Sequence, residues 1–356
     1  MAYAITGSRK DYAWGIVDGL AAWTGVKDGA TQAELWFGVH PSGPAMLSNG
    51  AGLLSDHLGD HQAPLLVKLL AAARPLSVQV HPDAARAARA WQDQQQPGAA
   101  QIYPDPWEKT EMLVALTEFL AFAGWRAIDE AALMLAGVPG TAPAVQALRA
   151  GNRAGAIRAL LQVRPIAPSV QALQQAVEGR PVHEREAITA AVNEYPEDAG
   201  ALLLPLLNVE QLFPGDALYV PAGVPHSYVS GIGLEVMTTS DNVVRLGLTP
   251  KEVNIDEALA ALRADRHPVV LRRGEDLHPA GAPFSAALLS AGVAVMEPGA
   301  YRLVLAVQED LQVQIGEDGS THQRVPIGSA LVATAEEPAL VIRTDGVAAL
   351  VRHEQA

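Results

Sequence analysis

Hydrophobic and polar positions alternate over short stretches in the first third of the chain. Runs at 33–39 and 76–80 end in the turn sequences His-Pro-Ser-Gly-Pro and His-Pro-Asp, as strands do. Two helices are expected to interrupt these strands, near 65–73 and 84–94; the second is rich in Ala, Arg and Gln. Residues 1–125 are therefore predicted to be mainly β.

From residue 126 to residue 202 the spacing of apolar residues is that of helices. Apolar residues recur three or four positions apart, for example Val145 with Leu148 and Ile157 with Leu160. Prolines and glycines interrupt the run where helices would begin or end. The pattern predicts an all-helical insertion.

Strand-like runs resume at residue 203 and continue to the C-terminus. After residue 266 the expected strands are 301–307, 311–315, 329–334 and 339–343, with turns such as 317–319 between them. We therefore predict a discontinuous β domain of residues 1–125 and 203–266, the helical insertion at 126–202, and a C-terminal β domain at 267–356. The fold class is mainly β with an α insertion.

Composition is that of a soluble globular protein. Hydrophobic residues make up 49% and charged residues 18% of the 356 residues. No apolar run approaches the roughly 18 residues that span a bilayer, and no signal-peptide pattern is visible. Cysteine is absent, which fits a reducing cytoplasm. A cytoplasmic protein without a membrane partner is expected.

The net charge of −14 bears on which molecules the protein can bind. Such an acidic chain argues against nucleic acid. An anionic small substrate would need locally placed Arg and Lys side chains. No feature of the sequence indicates an obligatory protein partner.

The segment at 76–81 alternates so that Ser77, Gln79 and His81 share one face of a strand. Such a face either lines a polar site or belongs to a half-exposed strand. Lys109 and Glu111 share a face where the next apolar run begins. A carboxylate entering a buried strand must be paired or bound to a metal, unless the strand end is solvated.

A third segment places His226 behind a strand and a turn. Gly215, Pro221, Gly223 and His226 follow the spacing of the second cupin motif, which delivers a histidine into a small β-barrel. A purely structural histidine is the alternative. Glu235, Arg245 and Lys251 then follow in sequence: a possible acid/base and two cations suited to an anionic substrate.

Together these segments offer nitrogen and oxygen donors from Gln79, His81, Glu111 and His226. Zn²⁺ accepts imidazole and carboxylate ligands readily, and we expect one ion per chain. With one carboxylate, the site keeps a net positive charge that suits stabilisation of an oxyanion.

The sequence resembles the type I mannose-6-phosphate isomerase family. The resemblance runs through YAWG at 12–15, AELWFGVHPSGP at 33–44, LSVQVHPD at 76–83, EKTEMLVAL at 108–116 and residues 207–251, including SDNVVRLGLTPK. It implies a cupin jelly-roll catalytic domain, the helical insertion and a C-terminal cupin-like domain. It also implies zinc ligands at Gln79, His81, Glu111 and His226, and active-site residues at Ser77, Lys109, Glu235, Arg245 and Lys251. One departure is Lys109-Thr110-Glu111, where the family commonly has Lys-Pro-Glu.

The resemblance implies an aldose–ketose isomerase of carbohydrate metabolism that acts on a phosphosugar through an enediol. Arg245 with Lys251 or Lys109 would hold the phosphate, with Ser77 also in the substrate site. Glu235 is either a proton-transfer group or only orients Arg245 or Lys251. Two alternative functions are a non-catalytic sugar-phosphate-binding cupin and another metal-dependent cupin enzyme.

Overall fold

The computed structural model describes residues 2–59, 62–316 and 321–354. The turn predicted at 317–319 lies outside the described residues. Within these ranges the chain is mainly β, as predicted. The strands are β1 (Tyr3–Thr6), β2 (Ser8–Lys10), β3 (Ile16–Val17), β4 (Thr31–Gln32), β5 (Glu34–Phe37), β6 (Met46–Leu47), β7 (Leu65–Ala72), β8 (Val78–Val80), β9 (Glu111–Ala115), β10 (Phe119–Trp125), β11 (Leu207–Leu212), β12 (Ala217–Val220), β13 (His226–Thr238), β14 (Val244–Gly247), β15 (Val269–Leu271), β16 (Phe284–Met296), β17 (Arg302–Gln308), β18 (Leu311–Ile315), β19 (Thr321–Val325), β20 (Ser329–Ala333) and β21 (Leu340–His353).

The α-helices are concentrated in one part of the sequence. They are α1 (Ala21–Thr24), α2 (Ala84–Asp93), α3 (Ile128–Leu135), α4 (Ala142–Arg149), α5 (Arg153–Leu161), α6 (Ala167–Ala176), α7 (Val182–Glu194) and α8 (Ile255–Ala261), with 3-10 turns at Leu54–Asp56 and Ala199–Leu206. Helix α2 confirms the prediction at 84–94, and α3 to α7 confirm the helical insertion. No helix in the described part of the chain is long and apolar enough to cross a membrane.

A curled antiparallel sheet forms the first β unit, in the order β15-β12-β9-β13-β7-β5-β2. Strand β13 belongs to both halves of the curl. The first residues of β13 pair with β10 and β8; β10 in turn pairs with β11, and β8 with β14. The later residues of β13 pair with β7 and β9. Gly231 lies where β13 changes from one set of partner strands to the other, and its φ is +125°. A Cβ at this position would lie 2.6 Å from the Glu118 carbonyl oxygen. Glycine thus permits the bend that closes the cupin-type barrel.

The helix predicted at 65–73 is wrong, because this segment is strand β7. Val67 and Leu69 pack in the core shared with the second sheet, whereas Leu70 packs in the core inside the barrel. By the two-residue period Lys68 lies on the barrel side with Leu70. A strand buried on both faces is a continuous apolar run, which periodicity cannot distinguish from a buried helix.

The helical insertion covers one outer face of the barrel. Val78 of β8, Phe122 of β10 and Val244 of β14 share a hydrophobic core with Leu148 and Leu160 of the insertion. The 3-10 turn at Ala199–Leu206 links α7, the last helix of the insertion, to β11. It crosses the boundary predicted between residues 202 and 203, where the insertion was expected to end.

The second sheet has the order β19-β18-β21-β17-β20-β1-β6, with β16 on the free side of β21. Strands β1 and β6 come from the region assigned by sequence to the catalytic domain, yet they pair in this sheet. Conversely, β15 lies beyond residue 266 but pairs with β12 of the first sheet. Sheet membership therefore departs from the predicted limits at these three short strands, because pairing partners are decided by tertiary contacts.

Candidate metal centre and active site

Three of the predicted ligands meet inside the barrel. His81 follows β8, Glu111 begins β9 and His226 begins β13; all three are buried, and a ligand atom from each lies within 4.8 Å of the others. His81 Nε2 is 3.2 Å from Glu111 Oε2, and His226 Nε2 is 3.0 Å from Glu111 Oε1. We call these three residues the metal cluster.

The two histidine rings are oriented by backbone carbonyls. His81 Nδ1 lies 3.0 Å from the Asn242 oxygen, and His226 Nδ1 lies 3.0 Å from the Val224 oxygen. A carbonyl oxygen only accepts, so each Nδ1 carries the proton and donates. Burial, together with the Lys109 charge, lowers the pKa of His81 to about 3, so this ring is neutral at pH 7. The Nε2 atom of each ring therefore faces Glu111, and in neutral His81 this atom carries a lone pair.

Gln79 lies beside the metal cluster by strand register. It pairs with His226 on one side and with Arg245 on the other, and directly paired residues project from the same face. Gln79 Nε2 is 3.2 Å from His226 Nε2, and Ser77 Oγ donates to Gln79 Oε1 at 3.4 Å. Rotation of the amide by half a turn exchanges its nitrogen and oxygen, so either atom can face the metal cluster.

The donor set fits a metal cation. Burial raises the pKa of Glu111, but Lys109 and the two histidines lower it well below its usual range, so the carboxyl is ionised. The Nε2 atoms of the two imidazoles each lie within hydrogen-bond distance of one Glu111 carboxylate oxygen. When both Nε2 atoms are unprotonated, they and the carboxylate are all acceptors and repel one another, and a cation between them removes this repulsion. Imidazole nitrogen and carboxylate oxygen are ligands that zinc prefers.

Two polar side chains support Glu111 from the barrel interior. The Tyr228 hydroxyl donates to Glu111 Oε1 at 2.9 Å, and Lys109 Nζ lies 3.4 Å from Oε2. Burial raises the pKa of Tyr228 well above 10, so the hydroxyl remains a donor. Tyr228 also interacts with Glu235, and thus connects the metal cluster to that carboxylate.

The Glu235 carboxylate pairs with Lys68, at 2.8 Å, and both side chains are buried. Lys68 is also 3.6 Å from Glu34, whose other oxygen accepts the Trp36 indole N–H at 3.0 Å. Burial lowers the pKa of Lys68, but the two carboxylates raise it well above its ordinary value, so the amine is charged. Burial raises the pKa of Glu235, and the negative charge of Glu111 raises it further, although Lys68 lowers it.

Arg245 and Lys251 have no carboxylate within 4 Å among residues 2–59, 62–316 and 321–354. Burial lowers the pKa of Arg245, and burial followed by the Arg245 charge lowers that of Lys251. The two cations are thus near enough to repel each other. An anion placed between them would relieve that repulsion.

Residues 3–128 match the family model for the catalytic domain of type I phosphomannose isomerase. Mannose-6-phosphate isomerase of Escherichia coli is 34% identical over 291 residues, covering 73% of this chain and 74% of the relative. The chain belongs to the type I phosphomannose isomerase family. It is accordingly an isomerase, and the resemblance predicted from its sequence is confirmed.

Solved structures of the family share the whole fold. A mutant of phosphomannose isomerase from Salmonella typhimurium superposes with a TM-score of 0.85 at 26% identity, covering 100% of both chains. A mannose 6-phosphate isomerase bound with zinc and yttrium gives a TM-score of 0.84 at 26% identity, covering 99% of this chain and 100% of the other. The match extends through the helical insertion and the second sheet.

Sequence reasoning missed several polar residues around this isomerase site. They are Glu34, Lys68, Tyr228, Asn242 and Asp241, whose Oδ2 lies 2.9 Å from His40 Nε2. Lys68 had a detectable signal, because a lysine inside a long apolar run must face a polar site or a carboxylate. The contribution of Asn242 comes from its backbone carbonyl, which no residue pattern encodes.

Proposed function

We propose that this protein interconverts mannose 6-phosphate and fructose 6-phosphate through an enediol, with one zinc ion per chain. The observation that carries the proposal is the metal cluster beside Arg245, which is the cross-strand partner of Gln79. Lys251 is near enough to Arg245 for the Arg245 charge to lower the pKa of Lys251, and neither cation has a carboxylate within 4 Å in the described part of the chain. The names of the relatives, mannose-6-phosphate isomerases of bacteria, fungi, plants and mammals, support the substrate.

His81, Glu111 and His226 would hold the zinc ion, with Gln79 as the fourth ligand. When bound, zinc stabilises negative charge that develops on sugar oxygens. The Nδ1 contacts of both histidines and the Tyr228 contact to Glu111 keep the donor atoms directed at a common point.

The phosphate anchor follows from the pairing of the four cations. Lys68 is held by Glu235 and Glu34, and Lys109 is held by Glu111. Arg245 and Lys251 remain available, and we assign them to the phosphate. A planar guanidinium suits bidentate contact with phosphate oxygens, and an ammonium adds charge. Ser77, beside Gln79, would contact the sugar near the metal.

Isomerisation transfers hydrogen between neighbouring carbons without net gain or loss of electrons. A base removes the C2 proton of the open-chain aldose to form the enediol, and a proton is then delivered to C1. The hydroxyl proton moves correspondingly from O2 to O1. We assign the proton transfer at carbon to Glu235, whose pKa is raised by burial, and the donation to sugar oxygen to Lys109.

Metal analysis and a coupled isomerase assay on mannose 6-phosphate test this function, with His226→Ala beside the wild type. We expect about one zinc per chain in the active wild type and loss of both zinc and activity in His226→Ala. Full activity in metal-free protein would refute the zinc mechanism. Zinc-bound protein that is inert on hexose phosphates would favour the sugar-phosphate-binding alternative, and turnover of a different substrate would favour another metal-dependent cupin enzyme.

A further inference from the structure

The end of the helical insertion contacts the segment that joins Arg245 to Lys251. The carboxylate of Asp198 bridges the two segments. Asp198 Oδ1 accepts the Gly200 N–H at 2.7 Å, and Oδ2 accepts the Thr249 N–H at 3.0 Å. The first bond caps the 3-10 turn at Ala199–Leu206, and the second fixes the chain two residues before Lys251.

The two backbones also touch directly. A Cβ added to Gly200 would lie 2.6 Å from Gly247 Cα and 2.8 Å from Leu248 N. Both atoms belong to the main chain, so neither can move aside as a flexible side chain would.

Leu248 adopts a conformation that L-residues rarely take. Its φ is +56°, and its side chain is completely buried. A non-glycine residue keeps this conformation only when its surroundings hold it, and such residues concentrate at functional sites. The contacts from Asp198 and Gly200 lie on either side of Leu248 and supply that hold.

We infer that Asp198 is a positioning residue for substrate binding, acting through Thr249 to set the spacing between Arg245 and Lys251. The inference rests on the proposed role of these two cations as the phosphate anchor. It gives the helical insertion a function in substrate affinity, since the insertion supplies Asp198 and Gly200. Asp198 itself does not touch the substrate.

Two substitutions disturb the contact in different ways. Asp198→Ala removes both hydrogen bonds, and its matched control is Asn152→Ala, which removes the side-chain cap of α5 in the same insertion. Gly200→Ala pushes the two backbones apart, and its control is Gly179→Ala, where an added Cβ meets nothing within 4 Å. Arg245→Ala and Lys251→Ala serve as references for loss of the phosphate anchor.

The measurements are KM and kcat on mannose 6-phosphate, zinc content and the thermal unfolding midpoint. We expect Asp198→Ala and Gly200→Ala to raise KM about tenfold with kcat changed less than about twofold and zinc content unchanged, because binding rather than chemistry is disturbed. The two controls should retain wild-type KM. If Gly200→Ala does not fold, Asp198→Ala gives the same readout alone.

Two outcomes separate the possible failures. Suppose that Arg245→Ala and Lys251→Ala raise KM, whereas Asp198→Ala leaves KM unchanged or only lowers the amount of folded, active protein. The positioning inference is then wrong, and the proposed function stands. If neither reference raises KM, the phosphate anchor itself is wrong, and this inference falls with it.

Discussion

Glu235 on β13 and Lys68 on β7 are direct cross-strand partners, with 2.8 Å between the carboxylate and the ammonium. The sequence offered Arg245 or Lys251 as the cation oriented by Glu235. Neither forms an ion pair with it in the described part of the chain, and Lys68 does. Glu235 is thus fixed from the barrel wall, while Tyr228 connects it to the metal cluster.

Glu235→Gln tests proton transfer with almost no change of shape. We expect turnover to fall by at least about a hundredfold, the usual scale for loss of an acid/base group. Zinc content should not change, because Glu235 is not a predicted ligand. Glu210→Gln on β11 is the control, a partly buried glutamate outside the metal cluster. Turnover retained in Glu235→Gln would end its assignment as the base.

Lys68→Met tests the buried ion pair. The substitution leaves Glu235 and Glu34 buried without their shared cation, so we expect a loss of about 3–5 kcal/mol of unfolding free energy in urea. The double variant with Glu235→Gln should lose less than the sum of the single variants. Additive losses would show that the pair does not interact energetically.

The charge of Lys251 should make substrate affinity depend on pH. Burial and the Arg245 charge lower the pKa of Lys251 below its ordinary value of 10.5. The amine is charged below its pKa, so phosphate binding should weaken, and KM should rise, as the pH increases through a range below 10.5. The substrate phosphate remains a dianion there, since its second pKa is about 6.

Lys251→Arg is the matched variant for this profile. Its guanidinium stays charged over the same range, so its KM should vary little with pH. The measurement is KM from neutral pH upward for both proteins. An identical rise in both would assign the effect to another group.

Thr238 should hold the turn that carries Lys109. Its Oγ1 accepts the Thr110 N–H at 3.2 Å and donates to the Glu108 carbonyl at 3.0 Å. These two hydrogen bonds fix the backbone on both sides of Lys109. Thr238→Val should cost about 1–3 kcal/mol of unfolding free energy and lower kcat.

Thr238→Ser should restore both properties, because it returns the hydroxyl. The control is Thr239→Val, whose hydroxyl instead donates to Ala63 at 3.3 Å. Urea unfolding and steady-state kinetics provide the measurements. Normal kcat in Thr238→Val would exclude a role for this turn in placing Lys109.

Arg302 should stabilise the second sheet without affecting chemistry. Its side chain is fully buried and donates to the backbone carbonyls of Met296, Ala300, Thr334, Glu337 and Pro338. Lysine has three donors, so Arg302→Lys removes the side-chain donor from at least two of these five carbonyls, at a cost of about 2–5 kcal/mol. We expect a lower thermal midpoint and unchanged kcat in the folded protein.

Arg343→Lys, at an exposed position of β21, is the control for Arg302→Lys and should leave the midpoint unchanged. Equal midpoints for the two variants would contradict the stabilising role of Arg302.

The sequence by itself determined the features that depend on local period and spacing. Alternation placed Gln79 and His81 on one face of a strand, and the spacing from Gly215 to His226 identified the turn that delivers His226. Helical periodicity likewise identified the insertion. Neighbours along the chain fix these properties, so they can be read before any tertiary contact is known.

Only the tertiary structure decided which distant residues meet. The sequence pattern did not identify strand β7, because both of its faces are buried. It therefore did not identify Lys68 on β7 as the partner of Glu235. Cross-strand register, not sequence spacing, brings Lys68 to Glu235 and Arg245 to Gln79. The contact between Asp198 and Thr249 arises from the same cause, because packing of the helical insertion against β14 sets it.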